Sequence, residues 1–274
     1  MLEITDWSLS LPHYPRWWKR EWSPVIESLS LDIQAGEVHA LVGASGSGKS
    51  LLAHALLGLL PPAARQHGSL TFQGDLLTPE RQRQLRGREL ALIPQTLNAL
   101  DPLARSQHQV RWAARRAGLS RVSAQARSHD LLQHYQLAHA ARRYPHELSG
   151  GMARRVLVAM AQAGHARVVI ADEPSVGLDP AQRDRVLATL QALAKEGKAV
   201  LLITHDLRHA ALPIAHRVTI MRQGRAVETT SARAFHGQGE QLHSAYAKAL
   251  WQALPDNTFG TLPIQPHVQE PSLA

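Results

Sequence analysis

Apolar and polar positions change their period several times along this chain, and each change marks an element. Residues 2–11 alternate loosely, which predicts an edge strand, and Leu29-Ser30-Leu31-Asp32-Ile33 alternates cleanly, as a half-buried strand does. Residues 14–22 are aromatic and basic, with Pro12, Pro15 and Pro24 around them, so they read as a loop or hairpin. After a turn at Ala35-Gly36-Glu37, residues 38–42 read as a buried strand. That run enters a glycine-rich loop, followed by a helix over 50–60 that Pro61 should end. Further strands are expected at 90–93, 168–171, 199–203 and 218–221. Between two of them, residues 181–195 place Val186, Leu187, Leu190, Leu193 and Ala194 on one helical face, and Gly197 stops that helix. Strands that alternate with helices predict an α/β fold around a mostly parallel sheet. The stretch 97–163 is mostly helical and breaks the alternation, so it reads as an inserted helical subdomain. Residues 254–274 carry Pro255, Pro263, Pro266 and Pro271 with little periodicity, the pattern of a loose tail.

Composition narrows the class. The chain has 274 residues, 44 % hydrophobic and 19 % charged, enough for one large domain with a substantial core. No stretch reaches the roughly 20 apolar residues of a membrane-spanning helix; the nearest, 51–64, contains His54, Pro61 and Pro62. The start, Met1-Leu2-Glu3-Ile4-Thr5-Asp6, has neither the basic nor the apolar segment of a signal peptide. With no cysteine, disulfides, thiolate-bound zinc and iron–sulfur clusters are excluded, which fits a cytoplasmic setting. The net charge of +8 is compatible with a solvated Arg-rich surface, with nucleic acid or with an anionic membrane face. The arginines are scattered along the sequence, which weakens a nucleic-acid footprint, and the 16 histidines are dispersed, as surface histidines are.

Gly43-Ala44-Ser45-Gly46-Ser47-Gly48-Lys49-Ser50, continuing into Leu51, matches the phosphate-binding pattern G-x-x-x-x-G-K-[ST]. Glycines let the backbone wrap a phosphate chain with consecutive N–H groups pointing inward, and the next helix turns its positive end toward the anion. Lys49 would bring a cation to the terminal phosphates and Ser50 a hydroxyl to Mg²⁺. A second run, Val168-Val169-Ile170-Ala171-Asp172-Glu173, is an apolar strand ending in two carboxylates. At the carboxyl edge of a parallel sheet, Asp172 is placed to hold Mg²⁺ and Glu173 to act as general base on the attacking water.

With these come four more motifs in a fixed order. Leu148-Ser149-Gly150-Gly151-Met152 resembles the LSGGQ signature of ATP-binding cassette proteins, Gln95 the Q-loop glutamine, Gly177-Leu178-Asp179-Pro180 the D-loop, and His205 the switch histidine. The chain thus resembles the ATP-binding cassette family over residues 2–228. That resemblance implies an N-terminal antiparallel β-subdomain, an ATPase domain over 1–235 with the helical insert at about 97–163, and a C-terminal extension over 236–274. It implies ATP and Mg²⁺, with Ser50, Gln95 and Asp172 around the metal and Glu173, His205 and Gln95 in catalysis. Leu148, Ser149, Gly150 and Gly151 would act in trans, on ATP held by a second cassette, and Asp179 would belong to the D-loop. In physical terms, Ser149-Gly150-Gly151 opens a helix near Met152 and forms an anion site that is redundant within a chain already owning a phosphate loop.

Two departures stand out: Met152 replaces the signature glutamine, and Met152-Ala153-Arg154-Arg155 lacks the usual glutamine before its arginine. Neither touches the carboxylates, the lysine or the histidine. Trp17, Trp18 and Trp22 are all candidates to stack on adenine, and spacing does not choose among them. Residues 45–62, Asn98-Ala99-Leu100-Asp101-Pro102 and 243–255 resemble the dipeptide, oligopeptide and nickel uptake branch. The short, cysteine-free C-terminal region tilts toward nickel or a metal chelate. Such a branch implies a second, different ATPase, two membrane permeases and a periplasmic binding protein, with the cassette on the cytoplasmic face of the bacterial inner membrane. No nucleic acid is expected. The alternatives are a soluble cassette ATPase acting on nucleic acid or the ribosome, and an exporter subunit. In the importer mechanism the cargo never touches this subunit, so no residue here reads it.

Overall fold

The computed structural model describes residues 1–16 and 19–254. In chain order the elements are β1 (Leu2–Arg16), β2 (Lys19–Ile33), β3 (Val38–Gly43), α1 (Lys49–Leu56), β4 (Arg65–Phe72), β5 (Asp75–Leu76), α2 (Pro79–Leu85) and β6 (Leu90–Ile93). They continue with α3 (Ser106–Arg116), α4 (Arg121–His134), α5 (Gly150–Ala161), β7 (Val168–Asp172), α6 (Pro180–Lys195), β8 (Ala199–Thr204), β9 (Arg217–Arg222), β10 (Arg225–Ser231) and α7 (Ala245–Gln252).

Two sheets result. One is antiparallel, in the order β2-β1-β4-β5; the other runs β10-β9-β3-β8-β7-β6, parallel except for β10. The period of two along each parallel strand sorts its side chains between two cores. Ala40 and Val42 of β3, Val169 and Ala171 of β7, and Val200 and Leu202 of β8 face the helices α3 to α7. Leu41, Val168, Ile170, Leu201 and Ile203 face α1 and the antiparallel sheet, where Leu2, Ile4, Trp7 and Leu9 are buried. Each aliphatic side chain buried there contributes about 2 kcal/mol. The five residues expected on the inner face of the 181–195 helix are the buried residues of α6.

Three expectations change. β1 is not an edge strand: it pairs with β2 on one side and with β4, some sixty residues later, on the other. The helix expected over 50–60 ends at Leu56, before Pro61. Gly58 adopts φ +64° there, and Gln82 lies 2.7 Å from where a Cβ would sit, donating its amide to Ala55 O. The helix expected near Met152 starts earlier, at Gly150, with Ser149 as its cap. Of the loop or hairpin expected at 14–22, the described residues take the hairpin form, β1 running to Arg16 and β2 restarting at Lys19.

Beyond the ATPase boundary expected at 235, the chain stays docked. Trp251 of α7 packs edge-on to Phe235 and donates to Gly237 O at 3.0 Å. Glu228 accepts the backbone amides of His243 and Ser244. The tail expected at 255–274 lies outside the described residues, and so do Trp17 and Trp18.

The two sheets are joined at Arg217, which donates to Asp32 Oδ1 at 3.0 Å and to Glu37 Oε2 at 2.9 Å. That guanidinium, hydrogen-bonded to Asp32, holds the Asp32 carboxyl well below the usual carboxylate range, against the opposing effect of burial.

Candidate functional site

β3 delivers the loop 43–50 to the carboxyl edge of the parallel sheet, and α1 leaves from it. Gly48 caps α1 at φ +94°, with Ile26 Cγ1 2.7 Å from where a Cβ would sit, so only glycine fits without displacing β2. Lys49 is buried at the loop's centre, where its ammonium donates to Gly43 O (2.7 Å), Ala44 O (2.9 Å) and Ser47 Oγ (3.2 Å). Burial pushes that ammonium below its ordinary value, opposed by the charges of Glu173 and Asp172.

β7, one strand beyond β8 in the same sheet, ends at Asp172 with Glu173 following, and both carboxylates are buried. Asp172 Oδ1 accepts from Ser50 Oγ at 3.0 Å. Burial raises the Asp172 carboxyl, the adjacent Glu173 charge adds to that, and the Ser50 hydroxyl and Lys49 oppose it. Glu173 adopts φ +46°, unusual for a residue with a side chain and costing about 1–3 kcal/mol. That backbone turn goes with a fixed carboxylate: Oε1 accepts from His205 Nδ1 at 2.7 Å and Oε2 from Thr204 Oγ1 at 3.2 Å. His205 and Thr204 come from the end of β8, the strand paired with β7. His205 is half-exposed, whereas Glu173 is covered.

Lys49, Ser50 and Glu173 share one cavity of about 270 Å³, lined also by Val25, Ser45, Gly46, Gly48, Leu51 and Gln95, while Asp172 and His205 are bonded to its lining residues Ser50 and Glu173. Val25 was not among the residues singled out from sequence; its position just before Ile26, which abuts Gly48, brings it to the wall. Trp22 does not line the cavity. Its ring is covered by the guanidinium groups of Arg65, 3.4 Å from the centroid, and Arg20, at 4.9 Å. Its indole donates to Ala63 O.

The signature stands apart from that cavity. Ser149 caps α5, its hydroxyl accepting from Met152 N at 3.3 Å, and this leaves the Gly150 and Gly151 amides at an exposed helix start. Leu148 anchors the segment against the helical core. Asp179 likewise lies outside the cavity and caps α6, accepting from Gln182 N at 2.9 Å. One residue links signature helix and cavity: Arg154, buried, whose Nη1 donates to Pro94 O (2.8 Å) and Gln95 O (2.9 Å). The Q-loop is therefore held by α5 through its main chain, while the Gln95 side chain is left for the cavity.

The arrangement has a glycine-lined loop with a buried lysine, a hydroxyl bonded to one carboxylate, and a second carboxylate bonded to a histidine. It defines a P-loop ATPase. The chain belongs to the ABC transporter family, whose sequence model matches residues 26–176. The peptidoglycan transport ATP-binding protein YejF of Agrobacterium fabrum is 39 % identical over 248 residues, which cover 85 % of this chain and 44 % of that protein. The dipeptide transport ATP-binding protein DppD of Escherichia coli is 37 % identical over 242 residues, 84 % of this chain and 72 % of that one. A solved ATP-binding subunit of an ABC transporter superposes with a TM-score of 0.72 at 27 % identity, covering 91 % of this chain and 98 % of its own. The dimeric structure of a bacterial ABC transporter cassette shares the fold, with a TM-score of 0.73 at 24 % identity over 85 % of this chain and 99 % of that one. Among the described residues no helix is long and apolar enough to cross a membrane.

Proposed function

We propose that this chain is the ATP-hydrolysing subunit of an importer, working against a second cassette and two membrane permeases at the cytoplasmic face of the bacterial inner membrane. One observation carries the ATPase half: Glu173, strained and covered, lines the phosphate cavity and is bonded to His205. In this reading Gly43, Ala44, Ser45, Gly46, Ser47, Gly48, Lys49, Ser50 and Leu51 hold the triphosphate. Ser50 and Asp172, already bonded to each other, fit the protein side of a Mg²⁺ site, with Gln95 beside them. The ion would supply charge neutralisation at the terminal phosphates. Glu173 orients and deprotonates the attacking water, and His205 holds the carboxylate in place. Ser149, Gly150 and Gly151 offer their amides to ATP bound by the facing cassette, and Asp179 positions the segment between them.

Relatives whose names specify peptide transport, such as the dipeptide protein of Escherichia coli and the oligopeptide protein OppD of Salmonella typhimurium, support peptides as the cargo class. The lean toward nickel or a metal chelate rests only on a short, cysteine-free C-terminal region and carries less weight. The test is co-purification of the tagged chain from its own cells, followed by ATPase assay. Recovery with hydrophobic permeases and a periplasmic binding protein supports the importer; recovery with nucleic acid or ribosomes in their place overturns it. Uptake of labelled dipeptide or nickel by the reconstituted system then separates the two cargoes.

A further inference from the structure

The arginines are scattered along the sequence, but five of them meet in space. An open cavity of about 460 Å³ is lined by Arg83, Gln84, Arg86, Arg88, Arg115 and Arg116. Its size falls within the roughly 300–1,000 Å³ of small-molecule sites. Two segments build it: the end of α2 with the approach to β6, and the last turn of α3. Part of the cluster has a local explanation. Arg83 pairs with Glu80 at 3.1 Å, both well exposed, and Arg115 donates to Leu119 O near the negative end of α3. The remainder does not. Among the described residues no carboxylate pairs with Arg86, Arg88, Arg115 or Arg116. Arg88 is aimed by a bond from its Nε to Arg116 O at 3.2 Å, which leaves its terminal N–H groups unused. Four guanidinium groups held close without a counter-charge repel one another, and an anion relieves that.

The cavity is not part of the ATP site. Arg88 precedes β6 and Gln95 follows it, so the two sites lie at opposite ends of that edge strand, about 20 Å apart at the rise of an extended chain.

We propose that this cluster is a second anion site, taking a phosphate-bearing group by the bidentate fork that guanidinium offers to phosphate. The same chemistry is carried by a phospholipid headgroup and by a free polyphosphate, and the proposal does not rest on the importer reading.

The test has two arms on the full chain at about 50 mM salt, where such contacts are weakly screened. In the first, the protein is sedimented with vesicles of phosphatidylglycerol in phosphatidylcholine and with phosphatidylcholine alone. In the second, inorganic tripolyphosphate is titrated into the Lys49→Ala protein, whose phosphate loop lacks its lysine. Binding is expected in at least one arm, and which arm identifies the source. Arg86→Gln/Arg88→Gln/Arg115→Gln/Arg116→Gln should weaken it at least about tenfold with the ATPase rate of the otherwise unaltered chain unchanged. If that variant folds poorly, Arg86→Gln/Arg116→Gln removes two side chains that make no hydrogen bond among the described residues and should still weaken binding several-fold. Absence of binding in both arms, or binding that these substitutions leave unchanged, overturns the proposal.

Discussion

The phosphate loop and the signature are both glycine-rich entries into helices, yet the chain surrounds them in opposite ways. Around Gly48 it gathers a buried lysine bonded to the loop's own oxygens, a hydroxyl bonded to one buried carboxylate, and a second buried carboxylate bonded to a histidine. Around Gly150 it gathers nothing reactive. Ser149 satisfies one amide, the arginines of α5 turn to the carbonyls of Pro94, Gln95 and Tyr135, and the open helix end faces outward. An anion site with no partner chemistry of its own has value only if another molecule brings the anion. In the reading proposed above, that difference makes one end the catalytic half of a composite site and the other the half given to a neighbour.

The largest expected effect attacks the first half. Glu173→Gln should lower steady-state ATP hydrolysis by about 10²–10⁴-fold while leaving ATP binding intact, measured by phosphate release and by equilibrium titration. Turnover within about threefold of the parent would remove Glu173 as the base. Ser149→Asp attacks the second half selectively. Aspartate caps a helix as well as serine does, so stability should hold, but it sets a negative charge where the facing triphosphate would lie. Hydrolysis by the paired cassettes should fall at least about tenfold, with ATP binding to the lone chain unaffected. Equal loss in both assays would mean that the signature serves its own chain's nucleotide.

A smaller effect probes the link between the halves. Arg154→Met keeps the stem but removes both bonds to the Q-loop carbonyls, and should cost about 1–3 kcal/mol in denaturant unfolding with a raised KM for ATP. Smallest is Arg217→Gln, which lies outside both halves. Arg217 depresses the Asp32 carboxyl, so the stabilisation it gives is complete well above the ordinary value of 3.8 and drains as pH falls below it. Asp32 is partly exposed, which limits the expected loss at neutral pH to about 1 kcal/mol. The variant's unfolding curve should converge on the parent's in acid, and hydrolysis should be unaffected at pH 7.

Much of this was legible before the fold was known, because the chemistry is local. The loop 43–50, the strand ending at Asp172 and Glu173, and the inner face of α6 are each written within a few consecutive residues. What was missed depends on distant partners. β1 reads as an edge because its second neighbour, β4, is mostly polar (Arg65-Gln66-His67-Gly68-Ser69) and signals no strand by itself. β10 also escaped, although Gln223-Gly224 marks the tight turn that folds it back on β9. α2 carried a readable start in Thr78-Pro79-Glu80, with Thr78 accepting from Arg81 N. No local pattern announces that Glu173 will adopt a left-handed backbone, that Arg20 and Arg65 will cover Trp22, or that Arg154 will reach the Q-loop.

The composite site is tested most directly by cross-linking, because the chain has no cysteine of its own. Ser45→Cys is placed in this cassette and a cysteine at the signature serine of the cassette facing it; where both are copies of this chain, that substitution is Ser149→Cys. The assembled complex is then treated with a short thiol-to-thiol linker. The expected result is a product with the mass of two cassettes that forms with ATP and not without it. A chain whose two cysteines, Ser45→Cys and Ser149→Cys, link to each other while no two-cassette product appears with ATP would contradict the account.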